Sequence, residues 1–588
     1  PLAQEAETIL RFPLRPPFPE AIIPPMALPR ARAVLLPALL AGSATAATVP
    51  MEAGGAAAAR PRAWTVSGPA PRGVQLELTF AVKQKGLQQL HDALMRVSSP
   101  SSADYGKHLT NGQVNALTAP DEAHIELVRS FLDQHGAEDV RALTPNGDVI
   151  GATVSIATAE KMLSAKYFTL AHESAGVEIH RAIGGYSLPA EVAAVVDFVT
   201  PTVHVPGVRR PRPAMNATGM DDNTPKHLRK LYNVGDAVGK AEKNKQAVTA
   251  FLEQGFDVES LQEFWSRFCD GITCGKGKVK QVGDATGGSP GIESMLDIES
   301  ITGVAGNIES EFWGYAGRSP DDRKNEPFMK WLTELSSTSD EDVPKIFSTS
   351  YGEDEGSWSY AAAQRLNVEF QKAGARGITL LYAAGDEGAN CKGGKYVPEG
   401  PGSSPYVTAV GGTAPTSSYP SPGSETAIGL SSGGFSNYWP MPDYQKDAVA
   451  RYLSQTGIPP ASRGYNTSGR AYPDIAAQAT NFIVIAGGTE PGVAGTSCAS
   501  PTAAGVFSLL NDLRLQNGKS TLGFLNPLIY ENAAAFNDIT TGSSDGCLFS
   551  EGWPAKTGWD AATGVGTPDY RKLAKVVSAL SAETSVIV

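Results

Sequence analysis

The sequence predicts an α/β protein: a doubly wound parallel sheet forms a large C-terminal domain, and a smaller α+β domain precedes it. Three observations carry this. From Leu228 onward, apolar runs of strand length alternate with segments of helical period, the mark of strand–helix–strand units. Residues 65–205 mix strands and helices in a shorter space and have their own apolar set. Between the two, residues 206–225 carry four prolines, three arginines and two acidic residues with few apolar groups, the composition of an exposed, cleavable linker.

Each element has a local reason. Residues 74–80 alternate like a strand, residues 87–97, 123–135 and 157–163 repeat apolar side chains at helical spacing, and residues 149–156 form a further strand. In the larger domain, residues 246–251, 377–384 and 482–486 read as buried strands, and residues 258–268, 292–301, 360–373 and 500–513 as helices. In an open parallel sheet, sites form where strands end at their carboxyl ends. Residues that follow the strands are therefore the first candidates for chemistry.

At 588 residues the chain is expected to hold two or three domains. Its 62 glycines and 42 prolines argue for many turns. A formal charge of −12 weighs against nucleic acid and anionic membrane partners. Residues 1–25 precede Met26 and are read as an extension from the gene model. Residues 26–46 read as a signal peptide: Arg30 and Arg32, a short apolar run over 33–41, then Ala44-Thr45-Ala46 as a cleavage site. That run is too short to span a bilayer, and no later stretch is long enough. The Ala/Gly-rich residues 47–64 are expected to lack structure. In an oxidising lumen some of the five cysteines pair, and Cys269 and Cys274 are close enough to close a small loop. Asn216 and Asn466 head glycosylation sequons. Arg209-Arg210 is either a processing site or an ordinary basic pair.

Ser497 stands in Gly-Thr-Ser-Cys-Ala-Ser-Pro (495–501), and no histidine follows His227. A serine hydroxyl needs a base. With no histidine nearby in the sequence, carboxylates are the natural candidates, and they work best in acid. The bland alternative is a helix start with small residues for packing. Cys498 as the nucleophile has no histidine to form an ion pair with. Glu293 and Asp297 are four residues apart, on one helix face. They are either a solvated acidic face or a coupled dyad that shares a proton. Asp386 follows the strand 377–384 directly; it is a turn or cap residue, or an acid that donates to a developing oxyanion. Asp538-Ile539 and Gly558-Trp559-Asp560 in a Gly-rich loop have the carboxylates and carbonyls that Ca²⁺ prefers.

The stretches Ile-Glu-Ser-Met-Leu-Asp (292–297), Ala-Gly-Asp-Glu-Gly (384–388) and Gly-Thr-Ser-Cys-Ala-Ser-Pro (495–501), in that order, resemble the motifs of the sedolisin, or serine-carboxyl, peptidases. Leu-Arg-Lys-Leu-Tyr-Asn (228–233), Asn-Glu-Pro-Phe (325–328), Gly-Phe-Ser-Asn (434–437), Gly-Arg-Ala-Tyr-Pro-Asp (469–474) and Leu-Gly-Phe-Leu-Asn-Pro (522–527) resemble its lysosomal tripeptidyl-peptidase branch. Tyr-Gly-Lys-His-Leu-Thr (105–110) resembles the family's activation prodomain. The resemblance implies a subtilisin-like catalytic domain over 226–580 and a ferredoxin-like prodomain over 65–205, which acts as an intramolecular inhibitor and is cut off in acid. It implies Glu293 as general base toward Ser497, Asp297 as the residue that orients that base, and Asp386 as the oxyanion acid. It also implies Ca²⁺ bound by the side chains of Asp538 and Asp560 and the carbonyls of Ile539, Lys556 and Gly558, and a bridge between Cys391 and Cys547. The sequence departs from the family pattern at Ala384, Glu387 and Ala494, none of them a catalytic group. The activity implied is release of tripeptides from the free N-termini of peptides or unfolded proteins, in a lysosome, vacuole or acidic exterior. The alternatives are an endopeptidase of the same fold and an inactive binding homologue, which would require a lost catalytic residue.

Overall fold

The computed structural model describes residues 47–53, 64–172, 178–205, 222–251, 254–269, 271–287, 289–315, 328–418, 420–547 and 551–580. The expected extension 1–25, the signal segment 26–46, the sequon at Asn216 and most of the linker, residues 206–221, lie outside the described residues. Among the described residues no helix is long and apolar enough to cross a membrane.

The front domain is built on a four-stranded antiparallel sheet of Gln75–Val82 (β1), Glu138–Ala142 (β2), Val149–Ser155 (β3) and Val196–Thr200 (β4), in the order β2-β3-β1-β4. With helices between β1 and β2 and between β3 and β4, this is the split β-α-β ferredoxin-like arrangement. Alternation explains β1: Leu76, Leu78 and Phe80 point into the core while Glu77 and Thr79 are half-exposed. The crossing helices Leu87–Ser98 (α1) and Glu122–Gln134 (α2) keep one apolar face each. One expectation is overturned here. Residues 48–53, read as structureless, form a strand that pairs with Gly185–Pro189. Composition alone missed it because the strand leans on a partner more than 130 residues away.

The large domain is a doubly wound sheet. Its strands are Lys245–Ala250 (β5), Lys280–Val282 (β6), Glu309–Gly314 (β7), Ile346–Thr349 (β8), Thr379–Ala383 (β9) and Thr408–Pro415 (β10). They run parallel in the order β6-β7-β5-β8-β9-β10. Ile475–Gln478 continues the parallel pairing on β10, and Glu425–Ala427 adds an antiparallel edge. Val258–Phe268 (α3), Ile292–Val304 (α4), Tyr360–Ala375 (α5) and Thr496–Gln516 (α6) supply its main helices. Asp257 caps α3 and Ser359 caps α5, each by accepting a backbone N–H three residues on. Helices α4 and α6 pack on each other at Gly505, where a Cβ would come within 2.8 Å of Val304 Cβ. The run 482–486, expected as a sheet strand, is instead half of a small antiparallel ribbon, Phe482–Ile483 with Gly492–Val493. A buried apolar run does not reveal which sheet it joins.

The front domain docks on α5. Leu90 and Leu94 of α1 cluster with Val368, Ala375 and Phe524. Beside them runs a buried ionic network: Arg365 and Lys372 of α5 meet Asp148 at 3.1 and 2.6 Å, and Glu369 completes it. The linker is not exposed to its end. Asn223 is buried and donates to Gln478 and Thr480, and Thr224 caps the short helix Pro225–Leu231. The structured part of the large domain therefore begins ahead of residue 226, where its sequence pattern starts. Disulfides join Cys269 to Cys274 and Cys391 to Cys547, leaving Cys498 free.

Candidate active site

Helix α4 is buried nearly all round from Ser294 to Val304, so any charge on it is costly to bury. It begins at Gly291, where a Cβ would collide with Gln254 Oε1 at 1.9 Å. Glu293 is half-buried in its first turn, and Asp297, one turn on, is fully buried. The Ser350 hydroxyl, just past the carboxyl end of β8, donates to Asp297 Oδ1 at 2.6 Å. Burial, and then the neighbouring Glu293, push the Asp297 carboxyl well above the usual carboxylate range, with the Ser350 hydrogen bond acting against them. Of the two readings of this pair, the solvated acidic face is excluded. Asp297 is fully buried and Glu293 half-buried one turn away, near enough for its charge to act on Asp297.

Ser497 is the second residue of α6 and is half-buried. The N-cap Gly495 has no side chain to cap the helix. Asp386 does so from another element: its Oδ1 accepts from the Thr496 N–H at 2.7 Å and from the Thr496 hydroxyl at 2.9 Å. Thr496 Oγ1 in turn accepts from the Gly385 N–H at 3.1 Å. Glycine is required at 385, since its φ is +110° and a Cβ would sit 2.1 Å from Glu399 Oε2. Asp386 is half-buried and lies at the carboxyl end of β9, beside β8, so adjacent strands deliver Ser350 and Asp386. Glu387 is exposed.

The Cys498 thiol records how closely these groups converge. It is fully buried, and burial, followed by Glu293, Asp386 and Asp297, drives its pKa well above the ordinary value. The three carboxylates thus act on the helix turn that carries Ser497. The same shift holds the thiol protonated, which removes Cys498 as a nucleophile. Sequence reading missed Ser350 and Thr496. Ser350 follows from the rule that sites gather at strand ends, but β8 is only four residues long and left no clear periodicity; Thr496 stands in the serine motif with no local sign that it bonds Asp386.

The calcium candidates come together elsewhere. Asp538 is exposed and its Oδ2 accepts from the Gly558 N–H at 2.9 Å. Asp560 is fully buried and accepts from the N–H groups of Lys556, Ala562 and Thr563. Burial drives the Asp560 carboxyl up to about 7. Among the described residues, neither aspartate has a salt-bridge partner, and the carbonyls of Ile539, Lys556 and Gly558 accept no hydrogen bond. The Lys556 ammonium points toward Gly457, 3.7 Å from where a Cβ there would lie. Two carboxylates and three free carbonyls fit a hard divalent cation. No group of three His, Cys, Asp or Glu side chains among the described residues is placed to hold a metal.

A parallel sheet with a serine at a helix start, faced by carboxylates and preceded by a ferredoxin-like domain, defines a serine peptidase with its activation domain. The comparisons agree. Residues 62–205 match the family described as "Pro-kumamolisin, activation domain", and residues 314–553 match "Subtilase family". The chain is 37% identical to tripeptidyl-peptidase 1 of Rattus norvegicus over 550 residues, and 36% identical to that of Homo sapiens over 550 residues. Both alignments cover 88% of this chain and 94% of the relative. In fold it is similar to Pseudomonas sedolisin, a serine-carboxyl proteinase, with a TM-score of 0.50 and 24% identity over 61% of this chain and 99% of that one. The chain belongs to the tripeptidyl-peptidase 1 family.

Proposed function

We propose that this chain is an acid-active serine-carboxyl peptidase, made as a zymogen, that releases tripeptides from the free N-termini of peptides and unfolded proteins. The observation that carries the reading is the convergence of Glu293, Asp297 and Asp386 on the Ser497 turn. Ser497 Oγ attacks the scissile carbonyl while Glu293 takes its proton and later passes it to the leaving amine. Asp297 holds Glu293 in place and shares the pair's remaining proton. Asp386, capped onto α6 through Oδ1, offers a protonated Oδ2 to the oxyanion. Water then cleaves the acyl-enzyme by the reverse path. A peptide with a free N-terminus and its N-blocked twin, assayed at acidic pH, test this: only the free one should release a tripeptide. Equal cleavage of both would make the enzyme an endopeptidase. Two disulfides suit an oxidising compartment, and we place the protein in the secretory pathway, in a lysosome, vacuole or acidic exterior.

Acid release of the prodomain has a candidate sensor in His108. Its ring fills a slot between two glycines: a Cβ on Gly377 would lie 2.4 Å from the ring, and one on Gly523 2.7 Å. Nε2 is 2.9 Å from the Thr521 carbonyl, and Nδ1 is buried with no partner. Burial lowers the His108 pKa to about 4, the Thr521 bond opposes this, and Lys345 and Arg514 add to the lowering. Once undocked, the ring returns to an ordinary histidine value. Docking is therefore weakened as pH falls from 6.5 toward 4, by roughly 30-fold at pH 5. The other groups at the seam act differently. His204 is lowered by burial but raised more by Glu353, 3.2 Å away, so acid strengthens its contact. Burial raises Glu52 and Asp197, so protonating them also favours docking. Asp148 would be raised by burial, but Arg365 and Lys372 hold it well below the usual range, so its contribution survives until pH falls past the ordinary carboxylate values. Lys345, lowered by burial to about 8, is charged throughout this window. His108→Phe should thus move the midpoint of acid activation about one pH unit lower. Loss of the Thr521 bond alone would move it the other way. An unchanged midpoint would exclude His108 as the sensor.

We also propose that Ca²⁺ binds at Asp538 and Asp560 with the carbonyls of Ile539, Lys556 and Gly558, stabilising the C-terminal loop. Binding needs ionised carboxylates. With the Asp560 carboxyl at about 7, protons compete from there downward rather than only near the ordinary value of ~4. Chelation, or Asp560→Ala, should lower the melting temperature measurably at pH 6–7, and less at pH 4. Identical melting with calcium and with excess chelator at pH 7 would rule the site out.

A further inference from the structure

Asp297 is fully buried, and no described ion pair includes it. The titratable groups around it are Glu293 on the same helix, the Cys498 thiol of α6, and Asp386, which reaches the same thiol from the loop after β9. The hydrogen bond that bears on its ionisation comes from Ser350, at 2.6 Å to Oδ1. Asp297 Oδ2 is buried with no hydrogen-bond partner. The Ser350 hydroxyl also lies 3.5 Å from the Ser497 carbonyl oxygen. That oxygen lacks its usual helical donor, because residue 501 is proline and has no N–H. One hydroxyl at a strand end therefore touches both the helix that carries the carboxyl pair and the residue proposed as nucleophile.

We propose that Ser350 is a positioning residue for the carboxyl pair: by occupying Asp297 Oδ1, it leaves the proton shared with Glu293 to Oδ2. The inference rests on the peptidase reading above, in which Glu293 is the base. A hydroxyl that donates to Asp297 favours its ionised form, so the bond also sets the pH at which the pair first frees a base. Removing it should delay that point. A serine that only filled space would leave the pH dependence unchanged.

The test uses acid-activated enzyme and records kcat, KM, melting temperature and the pH profile of kcat/KM. Ser350→Ala should lower kcat about tenfold to a hundredfold with KM little changed. It should move the acid limb of kcat/KM up by about one pH unit. Ser350→Thr keeps the hydroxyl and should keep the wild-type limb. Ser350→Cys, close in volume but a weak donor, should shift the limb in the same direction as Ala and serves if Ala does not fold. An unmoved acid limb in Ala or Cys, or a folded Thr variant that shifts as Ala does, overturns the proposal. Ser497→Ala separates the two claims. If it retains activity, the peptidase reading fails; if it is inactive while Ser350→Ala matches wild type, only the positioning role fails.

Discussion

Ser497→Ala is expected to abolish peptide hydrolysis while the protein folds and melts as the wild type does. The loss should be several orders of magnitude in kcat, since a nucleophile that acts as a unit with its base leaves only residual catalysis when removed. The fold should not suffer. The first turn of α6 is held by the Thr496 N–H on Asp386, not by the Ser497 side chain. Maturation provides a second readout. If the chain cuts its own linker, the variant should remain full-length after acid treatment, as gel mobility and N-terminal sequencing will show. A purified variant with a tenth of normal activity would remove Ser497 from the mechanism.

The second large effect is expected at Asp386, where two substitutions separate two tasks. Asp386→Ala removes the oxyanion donor and the cap together. It should cost roughly 10²–10³ in kcat and about 1 kcal/mol of stability from the uncapped helix. Asp386→Asn keeps an oxygen for the Thr496 N–H and should melt like the wild type. Its amide still donates to the oxyanion position, so kcat should fall less than in Asp386→Ala. Wild-type rates and pH profiles in both variants would exclude Asp386 from the chemistry.

How much of this was legible in the sequence depends on whether the signal is local. Glu293 and Asp297 were visible because four residues make one helical turn, and Asp386 because it ends a long apolar strand. The helical pattern is legible only over 500–513; the helix in fact begins at Thr496 and Pro501 lies inside it. That matters because it puts Ser497 within the helix instead of ahead of it. Long-range pairings left no trace. Arg365 and Lys372 look like ordinary surface charges on an amphipathic helix, and only the docked prodomain, more than 200 residues away in sequence, buries them against Asp148. No histidine follows His227, so histidine protonation falls on the prodomain side and the start of the large domain. That distribution does not separate His108, whose docking acid opposes, from His204, whose docking acid favours.

The contact at Gly505 has a mechanical meaning. Helices α4 and α6 are two stiff rods, one bearing the carboxyl pair and the other the serine, and they meet where Gly505 lies against Val304. Pressing a methyl group into that gap would pry the rods apart, and their rigidity would carry the displacement along to the reacting ends, where an error of about 1 Å can cost a hundredfold in rate. The spacing between the proposed base and nucleophile thus depends on the absence of a single carbon, about two helical turns from Ser497.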